Sequence, residues 1–247
     1  MTIAFQVTGD GRELLVEMIG RLGLTDVADV HVRLLKALAE QPQSLLIDLS
    51  GMTVEEPLAL AVFTAASRQA ARWPGIPLLL CTARPPVHAL LTGPAYHRLP
   101  VFDSLGTARA HARDHGGETM PAISDDLLPI TGAPRHARDV ATDACLRWDE
   151  PGLVGPASLI ASELVSNVVD HAHTMMTLRL SLRRRYLNIA VRDGSPAEPT
   201  RPLRVPGRTD LNRGRGLLLV DASSHAWGWV PSADGKVVWA SLARPRS

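Results

Sequence analysis

An apolar stretch from about Leu153 to Ala172 constrains this chain more than any other segment, because three polar side chains interrupt it at helical spacing. Within Ala161-Ser-Glu163-Leu-Val-Ser-Asn167-Val-Val-Asp-His171-Ala172, residues Glu163, Asn167 and His171 recur at i, i+4 and i+8. A helix would present all three on one face. An Asn inside a helix is slightly unfavourable, since its side chain competes for backbone hydrogen bonds. Two readings account for a carboxylate one turn before it. One is a solvated polar stripe. The other is a site in which the Asn carbonyl oxygen ligates Mg2+ carrying nucleotide phosphates, while the Glu orients the attacking group or takes its proton.

Two downstream segments favour the second reading. Leu187, Ile189 and Val191 alternate with polar or small residues, the period of a half-buried strand. Asp193-Gly194 then breaks it. A carboxylate there can accept a hydrogen bond from an exocyclic amine such as that of adenine, and the glycine lets a flat ring approach the backbone. Further on, Asn212-Arg-Gly214-Arg215-Gly216 precedes an apolar helix. Free amides at a helix start bind phosphate. Alone, Asp-Gly is a common turn and Gly-x-Gly a flexible loop. In this order the three segments describe a nucleotide site.

At this point the C-terminal half resembles the ATP-binding domain shared by gyrase, histidine kinases and the anti-sigma-factor serine kinases, the actinobacterial kinase type above all. The resemblance runs from about Pro134 to Ala243 and includes a Gly-Lys-x-Val-Trp ending at Trp239. It implies an α/β sandwich with helices on one face of a mixed sheet, ATP with Mg2+, and phosphorylation of a serine on an antagonist protein. Carried over, Asn167 holds Mg2+, Glu163 acts as base, and Asp193 with Gly194 binds the adenine. Gly214, Arg215 and Gly216 border the lid over the phosphates, and His171 lies near the phosphate end. One departure is Val237, which stands where the family usually has Thr and removes a hydroxyl from the expected adenine side.

Residues 1–114 alternate strands and helices, which predicts an α/β domain. Strands are expected at Ile3 to Val7, Leu14 to Leu22, Ser44 to Leu49 and Pro77 to Cys81. Helices are expected at Thr25 to Glu40, Leu58 to Trp73, Pro86 to Leu91 and Ser104 to His115. Asp48-Leu-Ser-Gly51 reads as a turn. The stretch 115–126 reads as a linker, and 127–247 as the second domain. The first domain resembles the STAS fold of anti-sigma-factor antagonists, on the order of its elements and on Leu45-Leu-Ile-Asp48-Leu-Ser-Gly51-Met-Thr53-Val. In that family a serine at a helix start takes the phosphate. Here Glu55-Glu56-Pro57-Leu58 stands at that place, with Pro57 at the acceptor position. Glu55 and Glu56 either imitate the phosphorylated state or simply favour the start of a helix.

A net charge of +1 gives no global attraction to nucleic acid or to an anionic membrane. Cys81 and Cys145 lie in different halves beside apolar residues and read as buried free thiols. No apolar run is expected to reach the ~18 residues of a spanning helix, and no signal peptide is recognised, so a cytoplasmic protein is expected. The histidines show no metal-ligand spacing. Trp227, Trp229 and Trp239 are expected to pack in the core or on a sheet face, and Arg183-Arg184-Arg185 to form a solvated hairpin turn. No histidine in a dimerisation hairpin precedes the ATP domain, which argues against a histidine kinase.

The expected function is partner switching in sigma-factor control: an ATP-dependent serine kinase acting in trans on a STAS-type antagonist. A non-catalytic module that sequesters a sigma factor or STAS partner, and an ATP-driven switch with slow hydrolysis, are the alternatives. The resemblance also makes a homodimer plausible.

Overall fold

The computed structural model describes residues 3–9, 12–115, 121–199 and 216–245. The chain divides into two compact units, Met1–Thr119 and Met120–Ser247.

The first unit holds a five-stranded sheet in the order β1-β2-β3-β4-β5. The strands are β1 Ala4–Gly9, β2 Glu13–Leu22, β3 Ser44–Val54, β4 Leu78–Cys81 and β5 Val101–Phe102. β1 pairs antiparallel with β2, and every other pairing is parallel. The helices are α1 Val27–Ala39, α2 Ala61–Arg72, α3 Pro85–Thr92 and α4 Leu105–His115. Leu45, Ile47, Leu78 and Leu80 face a core with Leu34, Leu38, Phe63 and Leu91 of α1 to α3. Leu46, Leu79 and Cys81 face the other way, against Ala108 and Ala112 of α4. β3 and β4 are thus apolar on both faces, as parallel strands covered on both sides require.

One expectation for this unit is corrected. Asp48 to Gly51 is no turn, because β3 runs on to Val54. Asp48 pairs with Glu17 and Gly51 with Ile19, so β3 spends one extra residue in a bulge and the strand continues. The two-residue strand β5 is too short to show a period in the sequence.

The second unit has five strands in the order β6-β7-β8-β10-β9: β6 Ala122–Leu127, β7 Met176–Leu182, β8 Tyr186–Asp193, β9 Ala226–Pro231 and β10 Lys236–Ala243. Every pairing is antiparallel, which corrects the expected mixed sheet. All of β6 but Leu127 falls within the stretch read as linker; its Ile-Ser-Asp-Asp core is polar enough to pass for a loop, yet it pairs along β7.

α5 Ala133–Arg147, α6 Val154–Asn167 and α7 Gly216–Ser223 cover one face of this sheet. Ala137, Ala141 and Ala144 of α5 and Ala157 and Ala161 of α6 are buried together, so small side chains let the two helices approach closely. Leu164, Val165 and Val220 fill the space above Leu178, Leu180, Ile189 and Val191. The stretch Pro151–Ala172 spans 22 residues and is, by length and composition, apolar enough to cross a membrane, contrary to expectation. In the fold it is the central core helix of this unit.

Trp239 is buried and lies across Gly228, where a Cβ would stand 2.9 Å from the indole. Arg184 and Arg185 are exposed at the β7–β8 turn as expected. Arg183 is not: burial and the neighbouring Arg179 both lower its pKa. Both cysteines are free and buried.

Candidate functional site

α6 is regular helix through Asn167, so Glu163 and Asn167 share a face one turn apart. The α-helical spacing ends there. Val168 to Ala172 form a π-turn, closed by the His173 amide bonding the Val168 carbonyl at 2.8 Å. His173 then takes a left-handed conformation. The wider turn carries the exposed His171 off the regular i, i+4 stripe, which corrects the expectation of three residues in one line. π-turns inside helices are costly and recur at functional sites.

α7 packs on α6 and brings its first residue over this face. A Cβ built on Gly216 would stand 2.8 Å from Glu163 Oε2 and 3.4 Å from Asn167 Oδ1. Both side-chain oxygens therefore converge on Gly216, whose lack of a side chain spares Glu163 a shift. Among the described residues neither side chain has a hydrogen-bond or ion-pair partner. Gly214 and Arg215 lie outside the described residues.

Asp193 ends β8 on the sheet face that bears the helices, since its neighbour Val191 belongs to the core beneath α6. The Asp193-Gly194 turn is tied back to the end of the α6 segment: the Gly194 amide donates to Thr174 Oγ1 at 3.0 Å. Asp193 Oδ1 accepts from the Ser195 amide at 2.8 Å and from Lys236 Nζ at 2.9 Å. Lys236 also donates to the Ser195 carbonyl at 3.1 Å. Both members of the pair are buried, with side chains 1% and 9% exposed. The hairpin before Lys236 presses on the same turn: a Cβ on Gly235 would lie 2.1 Å from the Asp193 carbonyl oxygen. Local sequence gives Thr174, Gly235 and Lys236 no role, although the Gly-Lys pair stands in the motif ending at Trp239.

Val237 is buried and pairs with Arg192, one step out of phase with the Lys236–Asp193 pair. Its side chain therefore points to the sheet face opposite Asp193. The hydroxyl it replaces would not have faced the Asp193 carboxylate. A cleft of about 520 Å3 adjoins Asp193 and Gly194, lined also by Asp126, Thr174, Thr177, Arg192 and Asp234. Arg192 bonds Asp234 at 2.7 Å and holds that carboxyl below its usual range. Neither Glu163 nor Asn167 lines this cleft.

In the first unit, Pro57 opens a short 3-10 turn before α2 and is exposed. The carboxylates of Glu55, Glu56 and Asp26 gather around Gly23. Glu56 Oε2 accepts from the Leu24 amide at 2.9 Å, and Glu55 lies 3.5 Å from Arg21. The acids thus have partners at the end of β2 and in the connection that follows it.

Residues 133–242 match the model of the histidine kinase-like ATPase domain. The second unit carries that ATPase domain. Such a domain implies binding of ATP. No curated protein matches the chain at a significant level. Solved structures similar to its N-terminal half include an anti-sigma factor antagonist from Mycobacterium paratuberculosis, at 19% identity over 46% of this chain and 96% of that one, with a TM-score of 0.38. Two others are SpoIIAA in its unphosphorylated form (12% identity, 45% and 97% covered, TM-score 0.38) and the Bacillus cell fate determinant SpoIIAA in the phosphorylated form (12% identity, 44% and 100% covered, TM-score 0.36). The expected α/β class holds for both units.

Proposed function

We propose that this protein is a cytoplasmic partner-switching regulator whose second unit binds ATP and phosphorylates a serine on a separate STAS-type antagonist, within the control of a sigma factor. The observation that carries the reading is the convergence of Glu163 Oε2 and Asn167 Oδ1 beneath Gly216.

The residues fit a nucleotide with its metal. Asn167 offers a neutral oxygen, of the kind a hard divalent cation accepts alongside phosphate oxygens and water. Bound there, Mg2+ would neutralise charge on the phosphates. Gly216 carries no side chain to crowd the Glu163 and Asn167 oxygens. Asp193 and Gly194 would receive the base, with the carboxylate accepting from the adenine amine.

Glu163 supplies the proton acceptor. The serine hydroxyl of the partner gives its proton to the Glu163 carboxylate as its oxygen bonds the γ-phosphorus. The bond from that phosphorus to the β-γ bridging oxygen breaks, and ADP leaves. Positioning and electrostatics supply most of the acceleration in such transfers. Transfer acts in trans in this reading, because Pro57 cannot accept a phosphoryl group.

Incubation with labelled ATP and purified STAS-domain proteins tests the proposal. A labelled serine on a partner, with none in the first unit of this chain, is the expected result. A second reading, a non-catalytic module that sequesters its partner, draws support from Asp193, one of whose oxygens is already engaged by Lys236. Stable complex formation without any labelled protein would favour it.

A further inference from the structure

We propose that Lys236 is a positioning residue that sets the purine preference of the site, by fixing Asp193 so that a single carboxylate oxygen is left for the ligand. This rests on the nucleotide reading above and goes beyond it.

The two residues face each other in register on β10 and β8. Asp193 Oδ1 is saturated by two donors, the Lys236 ammonium at 2.9 Å and the Ser195 amide at 2.8 Å. No described residue donates to Oδ2. Lys236 is itself held by the Ser195 carbonyl at 3.1 Å. Gly235 packs its backbone on Asp193 and Gly194 so closely that no side chain fits between them. The carboxylate is therefore held at Oδ1 by two donors, on a turn whose backbone Gly235 packs against.

A carboxylate paired with an ammonium accepts hydrogen bonds and donates none. The remaining oxygen can take a donor from the 6-position of a purine. An oxygen at that position, as in guanine or hypoxanthine, would leave two acceptors facing each other in a desolvated place. Sites built around one such hydrogen bond discriminate strongly, because the mismatched ligand leaves a buried polar group unpaired. Without the ammonium, the carboxylate loses both its counter-charge and one of the two donors that hold Oδ1, and the discrimination goes with them.

The test is binding of ADP and of inosine diphosphate to the full-length protein by calorimetry, with Mg2+ present. The unaltered protein should prefer ADP by about tenfold or more. Lys236→Met should lower ADP affinity and leave inosine diphosphate nearly unchanged, so that the ratio falls towards one. Lys236→Arg should restore most of it. An equal loss for both nucleotides would reduce Lys236 to a structural staple and overturn the proposal.

An uncompensated buried carboxylate can prevent folding. The double variant Asp193→Asn with Lys236→Met removes both charges and guards against that. If Lys236 acts only through Asp193, the double variant should show the same ratio as Asp193→Asn alone. A further drop would overturn the proposal. Failure of the unaltered protein to bind either nucleotide would instead refute the nucleotide reading itself, and this inference with it.

Discussion

Glu163 Oε2 stands 2.8 Å from the point where a Cβ would project from Gly216. That distance couples the first residue of α7 to the proposed proton acceptor on α6. The Glu163 carboxylate is the far end of a flexible side chain and can move aside. Gly216→Ala should therefore leave thermal stability nearly unchanged, since alanine also has the better helix propensity by ~1 kcal/mol. Phosphoryl transfer should fall by ten-fold or more for a ~1 Å displacement of the acceptor. A melting curve and a single-turnover transfer assay on the same variant check both halves. Unchanged transfer would show that Glu163 does not need its present place.

Val237 offers the opposite contrast. It is fully buried on the sheet face turned away from Asp193. Val237→Thr, the residue usual in the resembled family, should leave the affinity for ADP within two-fold of its original value, a change of ~0.4 kcal/mol or less. It should cost stability instead, by roughly 1–3 kcal/mol, because the new hydroxyl enters an apolar place. Denaturant unfolding beside a nucleotide titration separates the two effects. A large gain in nucleotide affinity would mean that position 237 reaches the base after all.

The legible parts of the chain were those with a strong period or a chemical motif. The i, i+4 pair on α6 and the alternation of β8 were readable because helix and strand impose different repeats on the same apolar residues. The run of β3 past Gly51 was not, since a bulge breaks the period where a turn would also break it. Nor was β6, whose alternating polar residues carry little apolar signal although its backbone completes the sheet edge. The end of regular helix at Asn167 is invisible in a sequence that stays apolar through Val169. Lys236 is hidden in the sequence for a related reason. Its meaning depends on pairing with a residue 43 positions away, and the sheet register supplies that, not local spacing.

The two thiols give a pH-dependent expectation. Burial pushes Cys81 up to about 12, with Asp48 adding to the shift, and burial pushes Cys145 up to about 11. Both start from an ordinary value of 9.0. The folded state thus holds these protons more tightly than the unfolded chain. Their contribution to stability is fully present below about pH 9, where thiols are protonated in either state, and is lost as pH rises from there towards 11 and 12. Alkylation at pH 8 should be slow in the native protein and rapid in denaturant, and unfolding should become easier above about pH 9. Fast native labelling of Cys145 would contradict its burial on the core face of α5.

The roles assigned to Glu163 and Asn167 separate in their variants, although one helix turn holds both. Glu163→Gln keeps the size of the side chain and one acceptor oxygen but removes the proton acceptor. It should retain nucleotide binding and lose transfer by about 10²–10⁴-fold, the range typical of a general base. Asn167→Ala removes a neutral oxygen ligand and should weaken nucleotide binding in the presence of Mg2+, with little effect on binding in chelator. Calorimetry with and without Mg2+, followed by transfer to a purified STAS partner, distinguishes the two. Full transfer by Glu163→Gln would take the base role from Glu163. Equal binding by Asn167→Ala under both conditions would take the metal from Asn167, and the converging oxygens beneath Gly216 would then serve packing alone.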